Sequence, residues 1–206
     1  DDFEINQTMD NSQLYISIRT LHTENSEKIR KSRNNWMLDT IVLDAGHGGK
    51  DSGAISRSGI KEKDINLQIV KKLGRMIKRK MGIRIIYTRE EDVFIPLWKR
   101  TKIANESAGK VFISIHANAS PKSKKAKGFE TYLLRPGKTE EAREVASREN
   151  AVIALEIKSH DYGEYSDEKI ILATMAQNEF LKQSETLAGL VQESLGKRLK
   201  SENRGV

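Results

Sequence analysis

IVLDAGHGGKDSGA, residues 41–54, is the stretch on which the fold turns. Ile41, Val42 and Leu43 make a short, unbroken apolar run, the pattern of a strand buried on both faces. A glycine-rich turn follows at once, and His47 stands in it between Gly46 and Gly48. Further along, Ile65, Ile69, Val70, Leu73, Met76 and Ile77 recur at helical spacing over residues 64–80, and Gly82 stops that helix. Residues 83–87 read as a second strand. Pro96 opens a second helix, with Leu97, Thr101 and Ala104 on one face. Residues 111–115 are a third strand and residues 129–134 a fourth. Strands separated by helices predict an α/β fold, a mostly parallel sheet covered by helices on both faces.

Residues 138–175 break this rhythm. They are charged and weakly periodic, carry Gly163 in their middle, and read as an insertion outside the sheet core. Leu187, Leu190, Val191, Leu195 and Leu199 then mark a last amphipathic helix over residues 181–199. The alternation asks for one more strand after it, so the chain is read as lacking its last strand. Residues 1–38 read as an N-terminal tail or linker, the end of an upstream module. It holds a lone strand at 14–18 and a polar connector at 23–35. Residues 39–206 form one domain, as a chain of 206 residues allows.

Composition bounds the function. Apolar residues are 37% and charged residues 32%, with mean hydropathy −0.60, which is globular rather than disordered. No apolar run approaches the roughly 18 residues of a membrane span. No leader pattern stands at the start, so a signal peptide is expected to be absent or removed. The net charge of +7 favours an anionic partner: nucleic acid, phospholipid head groups or a carboxylate-rich polymer. Aromatics are only 6% and are not interleaved with the basic stretches, which argues against nucleic acid. Cysteine is absent, excluding disulfides, thiol catalysis and thiolate metal sites. Any metal must therefore sit on His, Asp and Glu. The histidines are His22, His47, His116 and His160. His22 and His160 lack a motif context and are not expected to be ligands.

In open parallel sheets the ligand crevice lies outside the carboxyl ends of the strands. His47 follows the first strand and His116 ends the third, so the two are placed to converge. Glu62 lies just before the first helix, whose N-terminus favours an ionised carboxylate. His, Glu, His is a three-ligand zinc set that leaves a fourth position open. Spacing alone leaves the alternative standing that each histidine is an ordinary polar residue at a strand end.

The local words go further. IVLDAGHGGKDSGA (41–54), GIKEKDINL (59–67), YTREEDVFIPLWKRTKIAN (87–105), FISIHANA (112–119) and GFETYLL (128–134) resemble, in order, the zinc-dependent N-acetylmuramoyl-L-alanine amidases of the amidase-3 family, of the Gram-negative cell-separation type. The resemblance implies a twisted, mostly parallel sheet flanked by helices, and one zinc ion held by His47, Glu62 and His116. It implies hydrolysis of the amide between N-acetylmuramic acid and L-alanine of peptidoglycan, for wall remodelling and daughter-cell separation. The family's second glutamate, the general base, belongs to a late strand and is expected beyond Val206; Glu130 is a poor substitute. Arg89, Asp92, Arg100 and Asn105 are read as a network supporting the site. Asp44 is expected to hold the turn or orient a histidine, and Asn118 to stabilise a turn or donate to substrate.

The resemblance also implies that the insertion is a regulatory helix, through the word VASRENAVIALE (145–156). Glu149 is the expected plug of the open metal position and Glu156 the second choice. A periplasmic activator protein would then displace the helix, and the protein would be exported to the periplasm. The lysine-rich stretch at 71–80 reads as a solvated helix face, and the one at 122–127, near the crevice edge, as solvated surface or as an attractor of anionic stem peptides and wall polymers. The competing reading is a peptidoglycan-binding or regulatory module that keeps the metal pocket without cutting.

Overall fold

The computed structural model describes residues 2–7, 14–19, 37–119, 127–133, 140–151 and 167–206. At the N-terminus, β1 (Asp2–Gln7) pairs antiparallel with β2 (Leu14–Arg19), Ile5 standing opposite Ile16. The strand expected alone near residue 14 therefore has a partner. Within DFEINQ only Phe3 and Ile5 alternate with polar residues, a pattern too short to stand out without its neighbour. The connector at 23–35 lies outside the described residues.

The body of the chain begins with β3 (Thr40–Ala45), which is buried along its whole length. Then come α1 (Glu62–Met81), β4 (Arg84–Tyr87), α2 (Leu97–Glu106) and β5 (Val111–Ile115). The sheet order is β4-β3-β5, all parallel, with Leu43 opposite Tyr87 on one side and Ile113 on the other. Ile41, Leu43 and Ala45 join Val70 of α1 and Ile83 in the core, with Leu67, Leu73 and Ile77 packed against them. The alternate residues Val42 and Asp44 are buried as well, and Asp44 meets Arg100 of α2. Both faces of β3 are thus covered, as its continuous apolar run requires.

Helix α1 ends where the sequence predicts. Gly82 takes a left-handed φ of 66°, and its N–H donates to the Lys78 carbonyl. Gly74 lets the helix approach the sheet: a Cβ there would lie 2.0 Å from the Tyr87 hydroxyl.

The fourth strand expected at 129–134 does not form over its described part. Phe129 makes a single parallel bridge, to Asn203. The Thr131 N–H donates to the Gly205 carbonyl. A strand needs a continuous ladder, and this segment meets the short run after the last helix and Gln192 of that helix instead. Helix α3 (Glu140–Asn150) falls within the expected insertion. Helix α4 (Asp167–Arg198) begins well before residue 181, so its first turns also lie in the stretch read as insertion. The charged, weakly periodic composition there hides a helix that gains its continuity from the residues after it. No helix among the described residues is long and apolar enough to cross a membrane.

Candidate metal centre

The chain leaves β3 in one direction towards β4 and returns to the opposite side of β3 through β5. The crevice at this change of direction, past the carboxyl ends of β3 and β5, is where ligands bind in open α/β sheets. His47 and His116 both stand there. Their rings pack edge to face with centroids 4.9 Å apart.

His47 occupies a left-handed backbone conformation, φ 62°, which non-glycine residues seldom adopt. The turn around it is closed by reciprocal backbone bonds between Gly48 and Asp51. Gly53 is also left-handed, and a Cβ on it would lie 2.5 Å from the His47 ring and 2.8 Å from Glu62 Oε2. Gly46 has a parallel reason: its Cβ would sit 2.4 Å from His116 Nε2. Glycines here make room for the two imidazoles.

Glu62 is the first residue of α1 and only 4% exposed. Its Oε2 accepts from the Ala54 N–H at 2.9 Å and its Oε1 from the Ala117 N–H at 2.8 Å. Oε1 also lies 3.4 Å from His47 Nε2 and 3.3 Å from His116 Nδ1. Burial opposes ionisation, but the contacts with His116 and His47 and the Ala54 amide outweigh it. They hold the Glu62 carboxyl far below the usual carboxylate range.

A second carboxylate faces the same two nitrogens. Glu149 of α3 places Oε2 3.5 Å from His47 Nε2 and 3.1 Å from His116 Nδ1. Burial pulls the His116 imidazole down, but Glu149 and Glu62 together push it up to about 9. His47 is raised too, Glu62 and Asp51 outweighing its burial. Yet His47 Nε2 and His116 Nδ1 are buried without a directed hydrogen bond. Buried polar atoms are normally satisfied. Two imidazole nitrogens left so, with carboxylate oxygens beside them, fit a bound cation. His47, His116 and Glu149 can each present a ligand atom with all three within 4.8 Å of one another. Glu62 offers the same chemistry at similar distances. The donors are nitrogen and oxygen only, a set that suits zinc.

The supporting residues differ from expectation at Asp44 and Asn105. Among the described residues Asp44 has no hydrogen bond or ion pair to a histidine. It accepts from Thr88 Oγ1 at 2.6 Å, Arg100 Nη1 at 2.7 Å and Ser114 Oγ at 2.6 Å, tying β3 to its neighbours. Burial works against its charge, but Arg100, Ser114 and Thr88 outweigh it and hold Asp44 below the ordinary aspartate value. Asp51, not singled out in the sequence, is the carboxylate on His47: its Oδ2 lies 2.8 Å from Nδ1. Its place four residues on in a glycine-rich turn was the available signal. Arg89 donates to the carbonyls of Ala45, Gly46 and Lys63, and Arg100 to those of Ala45 and His47. The two guanidiniums hold the backbone that carries the first histidine. Asp92 accepts from Lys63 Nζ and the Gly49 N–H. Asn105 is exposed and joins no such network among the described residues, and Asn118 is exposed on the loop after His116. Glu130 is engaged by Arg204 and Tyr132. Arg148 was also missed. Its Nη1 donates to the Ala119 carbonyl at 2.6 Å, anchoring α3 to the His116 loop. Glu156, His22 and His160 lie outside the described residues, as do residues 122–126 of the second lysine stretch.

Residues 41–206 match the family model described as N-acetylmuramoyl-L-alanine amidase, Amidase_3. The chain belongs to this amidase family. Among relatives, N-acetylmuramoyl-L-alanine amidase AmiA of Escherichia coli K12 is 38% identical over 141 residues, covering 68% of this chain and 48% of that protein. The endolysin of Bacillus phage SPP1 is 48% identical over 96 residues, covering 47% of this chain and 34% of its own length. The chain thus spans half or less of these relatives. The crystal structure of an N-acetylmuramoyl-L-alanine amidase from Clostridium difficile 630 superposes with a TM-score of 0.55 at 29% identity, over 81% of this chain and 67% of that one. The parallel sheet and its helices are therefore those of an amidase fold.

Proposed function

We propose that residues 39–206 are the catalytic domain of a zinc-dependent peptidoglycan amidase. It cleaves the amide between N-acetylmuramic acid and the L-alanine of the stem peptide, in wall remodelling and daughter-cell separation. The observation that carries this reading is the pair of buried imidazole nitrogens without directed partners, facing the buried carboxylate of Glu62. His47, Glu62 and His116 would hold the ion. Zinc so held supplies a Lewis acid for the amide carbonyl and acidifies water at neutral pH. The chain's own part is positioning. The Ala54 and Ala117 amides keep Glu62 ionised and aimed. Arg89 and Arg100 grip the carbonyls of residues 45–47, so the His47 turn does not move.

Glu149 is the plug of the remaining position. What supports this is its oxygen 3.1 Å and 3.5 Å from the two imidazoles, from a helix outside the sheet. Such a carboxylate competes with water for the cation. The domain is then held inactive until a partner that binds the displaced helix shifts the balance, which takes a few kcal/mol of differential affinity. A periplasmic location of the exported protein, and an activator there, follow from a substrate lying outside the cytoplasmic membrane. The test is elemental analysis with substrate assay. One zinc per chain is expected, lost in His116→Ala, and free stem peptides are released from purified muropeptides by a Glu149→Ala chain that also carries the family's late-strand glutamate. Zinc bound without release of stem peptides would favour a binding module instead, and no zinc bound would overturn the metal assignment.

A further inference from the structure

We propose that Asp51 is a positioning residue that fixes His47 with its proton on Nδ1 and its Nε2 lone pair turned into the metal centre. The inference rests on the zinc reading above and adds a residue to it. The geometry is specific. Asp51 Oδ2 lies 2.8 Å from His47 Nδ1, while Nε2 faces Glu62 and Glu149. A carboxylate accepts only, so the bond requires the proton on Nδ1. In a neutral ring Nε2 is then left as the basic atom, the form a cation needs.

Asp51 is itself held in place. Its Oδ1 accepts the Gly53 N–H at 3.1 Å, and its backbone is paired both ways with Gly48. The side chain of Asp51 is 13% exposed and that of His47 12%, so water competes little for the bond. His47 sits at φ 62°, a conformation its own side chain does not favour. Something outside the residue must therefore hold the turn, and Asp51, which bonds both the turn and the ring, is the one carboxylate on the Nδ1 side of His47 among the described residues. Glu62 receives two backbone amides and Asp44 faces away into the Arg100 network, so neither can take this part.

The contrast with a purely structural role can be measured. Asp51→Ala removes both the turn contact and the histidine contact. Asp51→Asn keeps an acceptor oxygen for the Gly53 N–H but loses the charge facing the ring. Zinc affinity of the full chain is measured by competition with a chelating dye. Long-range 1H–15N spectra of the metal-free chain, recorded where the imidazoles are neutral, report which His47 nitrogen carries the proton. The expected result is a single His47 form protonated on Nδ1 in the parent chain. In Asp51→Asn we expect mixed forms and zinc binding weaker by about 10- to 100-fold, with little change in thermal stability. A folded Asp51→Asn with unchanged zinc affinity and the same single form would overturn the proposal, as would a parent His47 protonated on Nε2. If the parent chain binds no zinc, the metal reading fails, and the proton position on His47 still decides the role of Asp51.

Discussion

At the scale of single residues, the space around the two histidines is set by what is missing from Gly46 and Gly53. A methyl group on Gly46 would lie 2.4 Å from the His116 ring, well inside van der Waals contact. Gly46→Ala is expected to destabilise the chain by about 1–3 kcal/mol. It should weaken zinc binding further, because His116 must move to make room. Urea unfolding and a zinc titration of the same variant check both effects; wild-type zinc affinity would count against the packing argument. Asp44 gives a pH prediction. Its folded pKa is depressed below 3.8, so its contribution is present above that value and is lost as pH falls through the folded pKa. Asp44→Asn should cost about 3–5 kcal/mol at neutral pH by leaving Arg100 without its buried partner. The gap to the parent should narrow in urea melts carried to acid pH. A gap that stays constant would show that Asp44 is not ionised in the folded chain.

In the proposed regulation, the element that matters most is α3. It carries two adjacent contacts to the centre: Glu149 onto both imidazoles and Arg148 onto the Ala119 carbonyl. Neither residue belongs to the sheet, so the helix can be displaced without unfolding the core. In a chain that carries the family's late-strand glutamate, Glu149→Ala is expected to raise basal release of stem peptides from muropeptides. Arg148→Ala is expected to raise it less, by loosening the anchor while leaving the carboxylate available. Basal release unchanged in both variants would remove α3 from the regulatory account. The convergence of His47 and His116 was legible before the structure, because a parallel sheet puts successive strand ends on one edge and each histidine directly follows a strand. The contacts of α3 were legible only as a family likeness. Periodicity reports which face of a helix is apolar, and α3 has six charged residues among its eleven and Val145 as its one large apolar residue, so its place over the crevice leaves little local trace.

For the molecule as a whole, the proposed zinc site sets proton against cation. His116 is raised from 6.5 to about 9 in the folded, metal-free chain. A raised value means that its protonated form contributes stability fully below about 6.5, and that this contribution is lost as pH rises through about 9. Zinc requires the neutral ring, so binding releases protons and tightens as pH rises. The melting temperature of the metal-free chain should therefore fall across that interval. Zinc should restore it by an amount that grows with pH, about 2.7 kcal/mol when free zinc is 100 times its Kd. Calorimetry with and without zinc at several pH values checks this. A metal-free chain equally stable at both ends of the range would contradict the pairing of His116 with Glu149 and Glu62.

Local pattern alone determined the three strands of the sheet, the helices between them, the Gly82 stop and the meeting of two histidines at one sheet edge. These depend on short-range periodicity and on the narrow choice of topologies open to alternating strands and helices. Tertiary structure alone decided that Asp51 rather than Asp44 holds His47, that residues 129–131 meet residues 202–205 instead of forming a full strand, and that Arg148 anchors α3. Each of these joins groups whose separation depends on how turns and helices pack, and no spacing along the chain records that.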